Sequence, residues 1–263
     1  CPFEQRAQVG FSQRFAPVSE LRIAAAYYDF ENVQGQTSDT CYVANSSNTC
    51  STDLTRPLFA QKGNTYMTLR NLGSLGTDNA FGANLQYQYF GLVQQYRPLV
   101  ASGSLDLGEF HPVHIVLDGE YVWNTAFKRS LFNNGVGLAG LPGNVAGYFY
   151  NNRAATSDGT LGAYNGGNQG WMARLTVGHK EIKHFGDWNV HGGYKYLESD
   201  ATLDAFADSD FGLGGTNLKG YFIGGNVGLS DNVWASLRWL SASSISGLPY
   251  AVDVLLVDLN AKF

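Results

Sequence analysis

Residues 113–124 read VHIVLDGEYVWN, and the order of side chains in this stretch decides the fold. Val113, Ile115, Leu117, Gly119, Tyr121 and Trp123 occupy one parity, while His114, Asp118, Glu120 and Asn124 occupy the other. In an extended chain successive side chains point to opposite faces, so the carboxylates share one face and the apolar and small residues the other. A helix over the same residues would scatter both sets around its axis. The segment is therefore a β-strand whose two faces meet different surroundings.

The same alternation recurs on both sides. Toward the N-terminus, Ala7, Val9 and Phe11 alternate with Arg6, Gln8, Gly10 and Ser12, and Leu21, Ile23, Ala25 and Tyr27 with Arg22, Ala24 and Ala26. Toward the C-terminus, Trp171, Ala173, Leu175 and Val177 oppose Met172, Arg174, Thr176 and Gly178. Trp188, Val190, Gly192, Tyr194 and Tyr196 oppose Asn189, His191, Gly193 and Lys195. Tyr221 to Leu229, Val233 to Trp239 and Leu255 to Phe263 follow the same rule. Leu85–Asp106 is less regular and contains Pro98, so it reads as a strand carrying a bulge.

Composition supports this pattern. Hydrophobic residues make up 44% of the 263 residues, yet mean hydropathy is −0.16, because apolar positions are interleaved with polar ones. Charged residues reach only 15%, below the roughly 25% of soluble domains. No apolar run approaches the ~18 residues of a membrane-spanning helix, since Asp253 and Asp258 interrupt the longest candidate. A net charge of −5 argues against a nucleic-acid partner.

Connections between the alternating segments fall into two strictly alternating classes. Short ones are Ala16–Glu20, Leu107–Pro112, Lys183–Asp187 and Ser230–Asn232; long ones are Glu31–Asn79, Thr125–Gly170, Ser199–Asn217 and Ser241–Pro249. Outer-membrane barrels have short periplasmic turns and longer extracellular loops. Aromatic residues gather near strand ends, as expected of interfacial girdles. The reading is an all-β, antiparallel transmembrane β-barrel occupying residues 1–263 as one domain. Nine strands are visible, whereas single-chain bacterial barrels have an even number with both ends periplasmic. The expectation is that these are the C-terminal part of a longer, even-stranded barrel, in the bacterial outer membrane with the C-terminus periplasmic.

Several segments resemble the bacterial "putative porin" family of outer-membrane proteins: Ala25–Val33 (AAYYDFENV), Leu117–Thr125 (LDGEYVWNT) and Gly186–Leu197 (GDWNVHGGYKYL). Leu203–Gly215 (LDAFADSDFGLGG), Gly220–Trp234 (GYFIGGNVGLSDNVW) and the terminal Val252–Phe263 (VDVLLVDLNAKF) extend the resemblance. It implies a porin-like barrel and no cofactor, with no established substrate. The terminal Phe263 resembles the signal read by the barrel-assembly machinery. Outer-membrane lipid and lipopolysaccharide are the other expected partners, and a homotrimer is expected by analogy.

Porins work by geometry and field, with charged side chains in a water-filled lumen biasing the sign of the solute. Alternation assigns Arg6, Arg14, Arg22, His114, Asp118, Glu120, Arg174, Lys180, Lys195, Arg238, Asp258 and Lys262 to the lumen. Basic members outnumber acidic ones, predicting a weak anion preference; pairing across strands would instead make some of them wall braces. Thr125–Gly170 is a candidate for folding inward to narrow the pore. Cys41 and Cys50, in a Ser/Thr/Asn-rich loop, form a candidate disulfide. Asp204, Asp208 and Asp210, following Asp200, could offer carboxylate oxygens to calcium, although the spacing is not that of an EF-hand.

Two other readings are carried beside the porin. One is a structural or adhesive surface barrel with a plugged lumen and interacting loops. The weaker one is an outer-membrane hydrolase: no HExxH, GxSxG or Walker-type segment occurs, and His111 and His184 fall at short turns.

Overall fold

The computed structural model describes residues 3–36, 55–69, 90–133, 149, 151–155 and 161–262. Nine long strands are joined in chain order into one antiparallel sheet. They are β1 (Phe3–Ala16), β2 (Ser19–Glu31), β5 (Pro98–Phe110), β6 (Val113–Asn124), β9 (Gln169–His179), β10 (Trp188–Leu197), β11 (Leu218–Ser230), β12 (Val233–Ser244) and β13 (Ala251–Ala261). Four short strands lie outside this sheet, β3 (Tyr66–Thr68) pairing with β4 (Phe90–Leu92) and β7 (Arg153–Ala155) with β8 (Leu161–Tyr164). A single helical turn, α1 (Ser130–Asn133), precedes β7. Each long strand has 10 to 14 residues, enough for the ~9–11 that a tilted strand needs to cross hydrocarbon.

Register carries the alternation from strand to strand. Leu105 faces Leu117 and Leu117 faces Leu175; Leu175 then faces Gly192, and Gly192 faces Ile223. Ile223 continues the row through Trp239 to Leu255. Three residues along, Ser102, Glu120, Met172, Lys195 and Gly220 form a row on the opposite face. Leu117, Tyr121, Leu175, Val227 and Leu259 are all exposed, as are Val9, Ile23, Leu237 and Val257. An apolar surface of this extent exceeds the few-hundred-Å² patches of soluble monomers. At its long-loop border Tyr121, Trp171, Tyr194 and Tyr221 form a staggered aromatic band, with the Trp171 and Tyr194 rings 5.5 Å apart.

Three sequence expectations need correction. Pro98 opens β5 instead of lying inside a strand, which suits a residue without an N–H. Phe90–Leu92 belongs to the separate pairing with Tyr66–Thr68, and the irregularity of β5 falls between Leu107 and Phe110. Glu20 is not part of a turn but pairs with Arg14 and Asp106 within the sheet. The sheet is also open: among the described residues β1 and β13 are its two edges and no closed barrel forms.

Replacing Leu175, centred in the apolar face, with lysine should destabilise the folded protein in lipid vesicles by ~2–4 kcal/mol. Ser102→Lys, on the other face opposite Glu120, should cost far less. Urea titration followed by the heat-dependent gel shift of the folded form would compare the two; equal losses would contradict the two-solvent assignment.

Candidate pore lining and its inward-folded loops

Every sequence-predicted lumen residue that lies in a paired strand shares the sheet face opposite the apolar one. Arg22, Ser104, Asp118 and Arg174 stand in a single row across β2, β5, β6 and β9. Arg174 reaches Asp118 directly across the strand pair, its Nε and Nη2 both on Oδ2 at 3.0 and 2.9 Å. Arg22 Nη2 donates to Glu20 at 2.6 Å, and Ser12 also donates to that carboxylate. Asp106 is buried and receives His114 Nδ1 at 2.6 Å and Lys180 Nζ at 2.7 Å. Together these side chains surround a cleft of about 230 Å³ toward the short-turn end.

The remaining candidates spread over the same face. Arg238 Nη2 lies 3.2 Å from Asp210, and the Lys195 ammonium sits 5.2 Å from the centre of the Phe211 ring. Arg6, Arg14, Glu120 and Asp258 are exposed on it, with Arg6 and Arg14 on the edge strand β1. Lys262 follows β13 at the short-turn rim, where its N–H donates to the Asn232 carbonyl. Sequence reasoning missed Glu20 and Asp106. The parity of Ser102 and Ser104 would have placed Asp106 on the lumen side once Pro98 was read as the strand's start.

The loop that packs onto this face is 198–217, whereas the described part of the Thr125–Gly170 segment singled out from sequence packs among other loops. Phe211 packs against Leu218, Leu240 and Ala242, with Phe222, Val254 and Leu256 around them. These wall residues lie at paired positions of one face, Leu240 between Phe222 and Val254. At the other side of the loop the Phe206 ring stacks on Phe30 of β2, 5.4 Å away. The loop thus reaches this face at both β2 and β12. The Thr125–Gly170 segment contributes Phe132, Phe149 and Tyr164 to an apolar cluster with Met67, Leu69 and Val93.

One carboxylate ties three long loops together. Asp200 is fully buried; Oδ1 accepts the Thr65 N–H at 2.9 Å and the Tyr96 hydroxyl at 2.8 Å. Oδ2 accepts Thr65 Oγ1 at 2.6 Å, Tyr164 Oη at 2.7 Å and Ser199 Oγ at 3.0 Å. Burial, reinforced by the Asp200 charge, raises the Tyr96 and Tyr164 phenols above their ordinary range, so both remain donors. Asn124, at the end of β6, donates to the carbonyls of Gln95 and Asp200 and accepts the N–H groups of Arg97 and Ala126. Asn217 donates to Ser246 and Asn152, linking the fourth long connection. Gly63, at φ +107°, lies so close to Thr216 that a Cβ would collide with its carbonyl oxygen.

Calcium ligation draws no support from these positions. Asp204 is buried, accepts the Tyr66 hydroxyl, and is raised above the usual carboxylate range by its burial. Asp208 accepts the Asp210 N–H, Asp210 faces Arg238, and no metal-competent group of three His, Cys, Asp or Glu occurs among the described residues. Cys41, Cys50 and Phe263 lie outside the described residues.

Comparison with known families settles the wider assignment: the family described as "Putative porin" matches residues 5–263. The chain belongs to this putative porin family. No curated protein matches it. Membership gives the two-faced sheet a porin-like role at the coarse level and implies an outer-membrane location.

Asp200→Ala should leave Thr65, Tyr96 and Tyr164 with buried donors unmet, each costing roughly 1–3 kcal/mol. The sheet should keep its heat-dependent gel shift, while Lys62 and Arg97 become sensitive to trypsin. Unchanged cleavage at both sites would mean that Asp200 does not hold the loops.

Proposed function

We propose that this protein is an outer-membrane porin through which small hydrophilic solutes or ions diffuse passively, with no cofactor and no catalytic step. The observation that carries the reading is the division of one sheet into an exposed apolar face and a charged face. Only a wall between hydrocarbon and water rewards both at once. Short turns at one end and long, mutually bonded connections at the other support a periplasmic position for the turns and the C-terminus. Phe263 is then available to the barrel-assembly machinery, and lipid and lipopolysaccharide contact the apolar face. A homotrimer is part of the proposal by analogy with other porins.

Closure follows from backbone chemistry. Unpaired N–H and C=O groups along β1 and β13 cost several kcal/mol each in hydrocarbon. Closure of the sheet into a barrel is therefore part of the proposal.

The Glu198–Asn217 loop sets the width of the passage. Its Asp210 pairs with Arg238, and the carboxylates of Glu20, Asp106 and Asp118 accompany Arg22, Lys180 and Arg174. The second reading, a plugged surface barrel, is favoured by the Asp200 knot, which gathers long loops over the lumen end. Family membership supports a channel over a hydrolase.

Planar-bilayer recordings separate these readings. The porin should give discrete ionic current steps, enlarged in Phe211→Ala, which removes ~3–5 kcal/mol of apolar anchoring from the loop. Silent bilayers with correctly folded protein would favour the plugged barrel; lipid or peptide cleavage would favour the hydrolase.

A further inference from the structure

The ion pairs around the cleft at the short-turn end are not symmetric toward water. Arg22, Arg174 and Lys180 expose 61%, 44% and 54% of their side chains, whereas their partners Glu20, Asp118 and Asp106 expose only 14%, 19% and 9%. Each carboxylate lies against the wall and holds a cation in front of it. Summing the charges gives near neutrality, but a solute entering the cleft meets the cations first.

Donor capacity remains on those heads. A guanidinium carries five N–H groups and an ammonium three. Arg174 directs its Nε and Nη2 at Asp118, which leaves the Nη1 side of the fork facing away from that bond. Arg22 engages Glu20 through Nη2, and Lys180 holds Asp106 through its one nitrogen. Between Arg22 and Arg174, in the same row, stands the hydroxyl of Ser104. The two arginines are three strand spacings apart, about 14 Å along the sheet. Long side chains from both ends of such a row reach a small ligand between them. Arginine forks match carboxylate and phosphate oxygens in bidentate geometry.

We infer that this cleft is a binding subsite for small oxyanions, carboxylate or phosphate, held by Arg22, Arg174 and Lys180 with Ser104 beneath them. The inference rests on the porin reading for its place in a transport path, but the subsite itself requires only the folded wall. The backing carboxylates have a defined part: they keep the cations extended and lower affinity enough for release, as a pathway site requires.

The test uses the full chain folded in detergent and in planar bilayers, with inorganic phosphate and succinate as probes. Titration of either anion, followed by calorimetry or phosphorus NMR line broadening for phosphate, should saturate. Arg22→Gln with Arg174→Gln should weaken binding at least about tenfold, while Lys128→Gln, exposed in the long connection after β6, should leave it unchanged. In bilayers, added phosphate should reduce chloride current in the native protein and lose that effect in the double variant, whose gel shift verifies folding. Ionic current with no saturable anion binding would overturn the subsite and leave the porin standing. Saturable binding without current would keep the subsite and overturn the porin. Equal binding by the native protein and the double variant would remove the arginines from the site.

Discussion

Backbone geometry allows adjacent residues of a strand to face opposite ways, and the structure depends on keeping that division true across nine strands. The row from Leu105 through Leu117, Leu175, Ile223 and Trp239 to Leu255 stays on one face only because each pairing holds its register. A slip of one residue at any pairing would carry Asp118 or Arg174 to the apolar side and Leu117 or Leu175 to the charged one. The desolvation of a charge far exceeds the cost of a lost strand hydrogen bond, so side-chain chemistry specifies the register.

The charged face answers a second constraint. In the proposed pore, charges on a shared wall must avoid mutual repulsion without cancelling the field that a solute would meet. Direct cross-strand pairing of Asp118 with Arg174, and the meeting of His114 and Lys180 on Asp106, meet the first demand. Placing the carboxylates behind the cations meets the second. A count of charges misses this, because it gives a buried Asp106 the same weight as an exposed Lys180.

At the long-loop end the same face becomes apolar. Val122, Leu197, Leu218 and Leu240 are buried there, though alternation alone puts them on the water side. They are covered by Phe211, Ala201 and their neighbours from the inward loop. Asp200 and the surrounding asparagines satisfy the polar groups that this covering buries, and a half-satisfied network in such a place would be costly. In the proposed pore, passage width is thereby linked to the packing of loops whose sequence has no regular period.

The amino-acid order alone determined the strands, their two faces, the alternation of short and long connections and the porin-like family. The strands and their faces follow from local period-two patterning, which needs no knowledge of partners, and the family from the resemblance of short segments such as Val252–Phe263. It also placed Arg22, Asp118, Arg174 and Arg238 on the face opposite the apolar one through the same parity. Glu20 and Asp106 escaped because turn and proline signals obscured where their strands begin. Only tertiary structure decided that Glu198–Asn217 crosses the inner face, that Asp200 gathers donors from Thr65, Tyr96 and Tyr164, and that the cations stand in front of their carboxylates. Those are contacts between residues far apart in the chain, and no local periodicity encodes a long-range meeting or the depth at which a charge is buried.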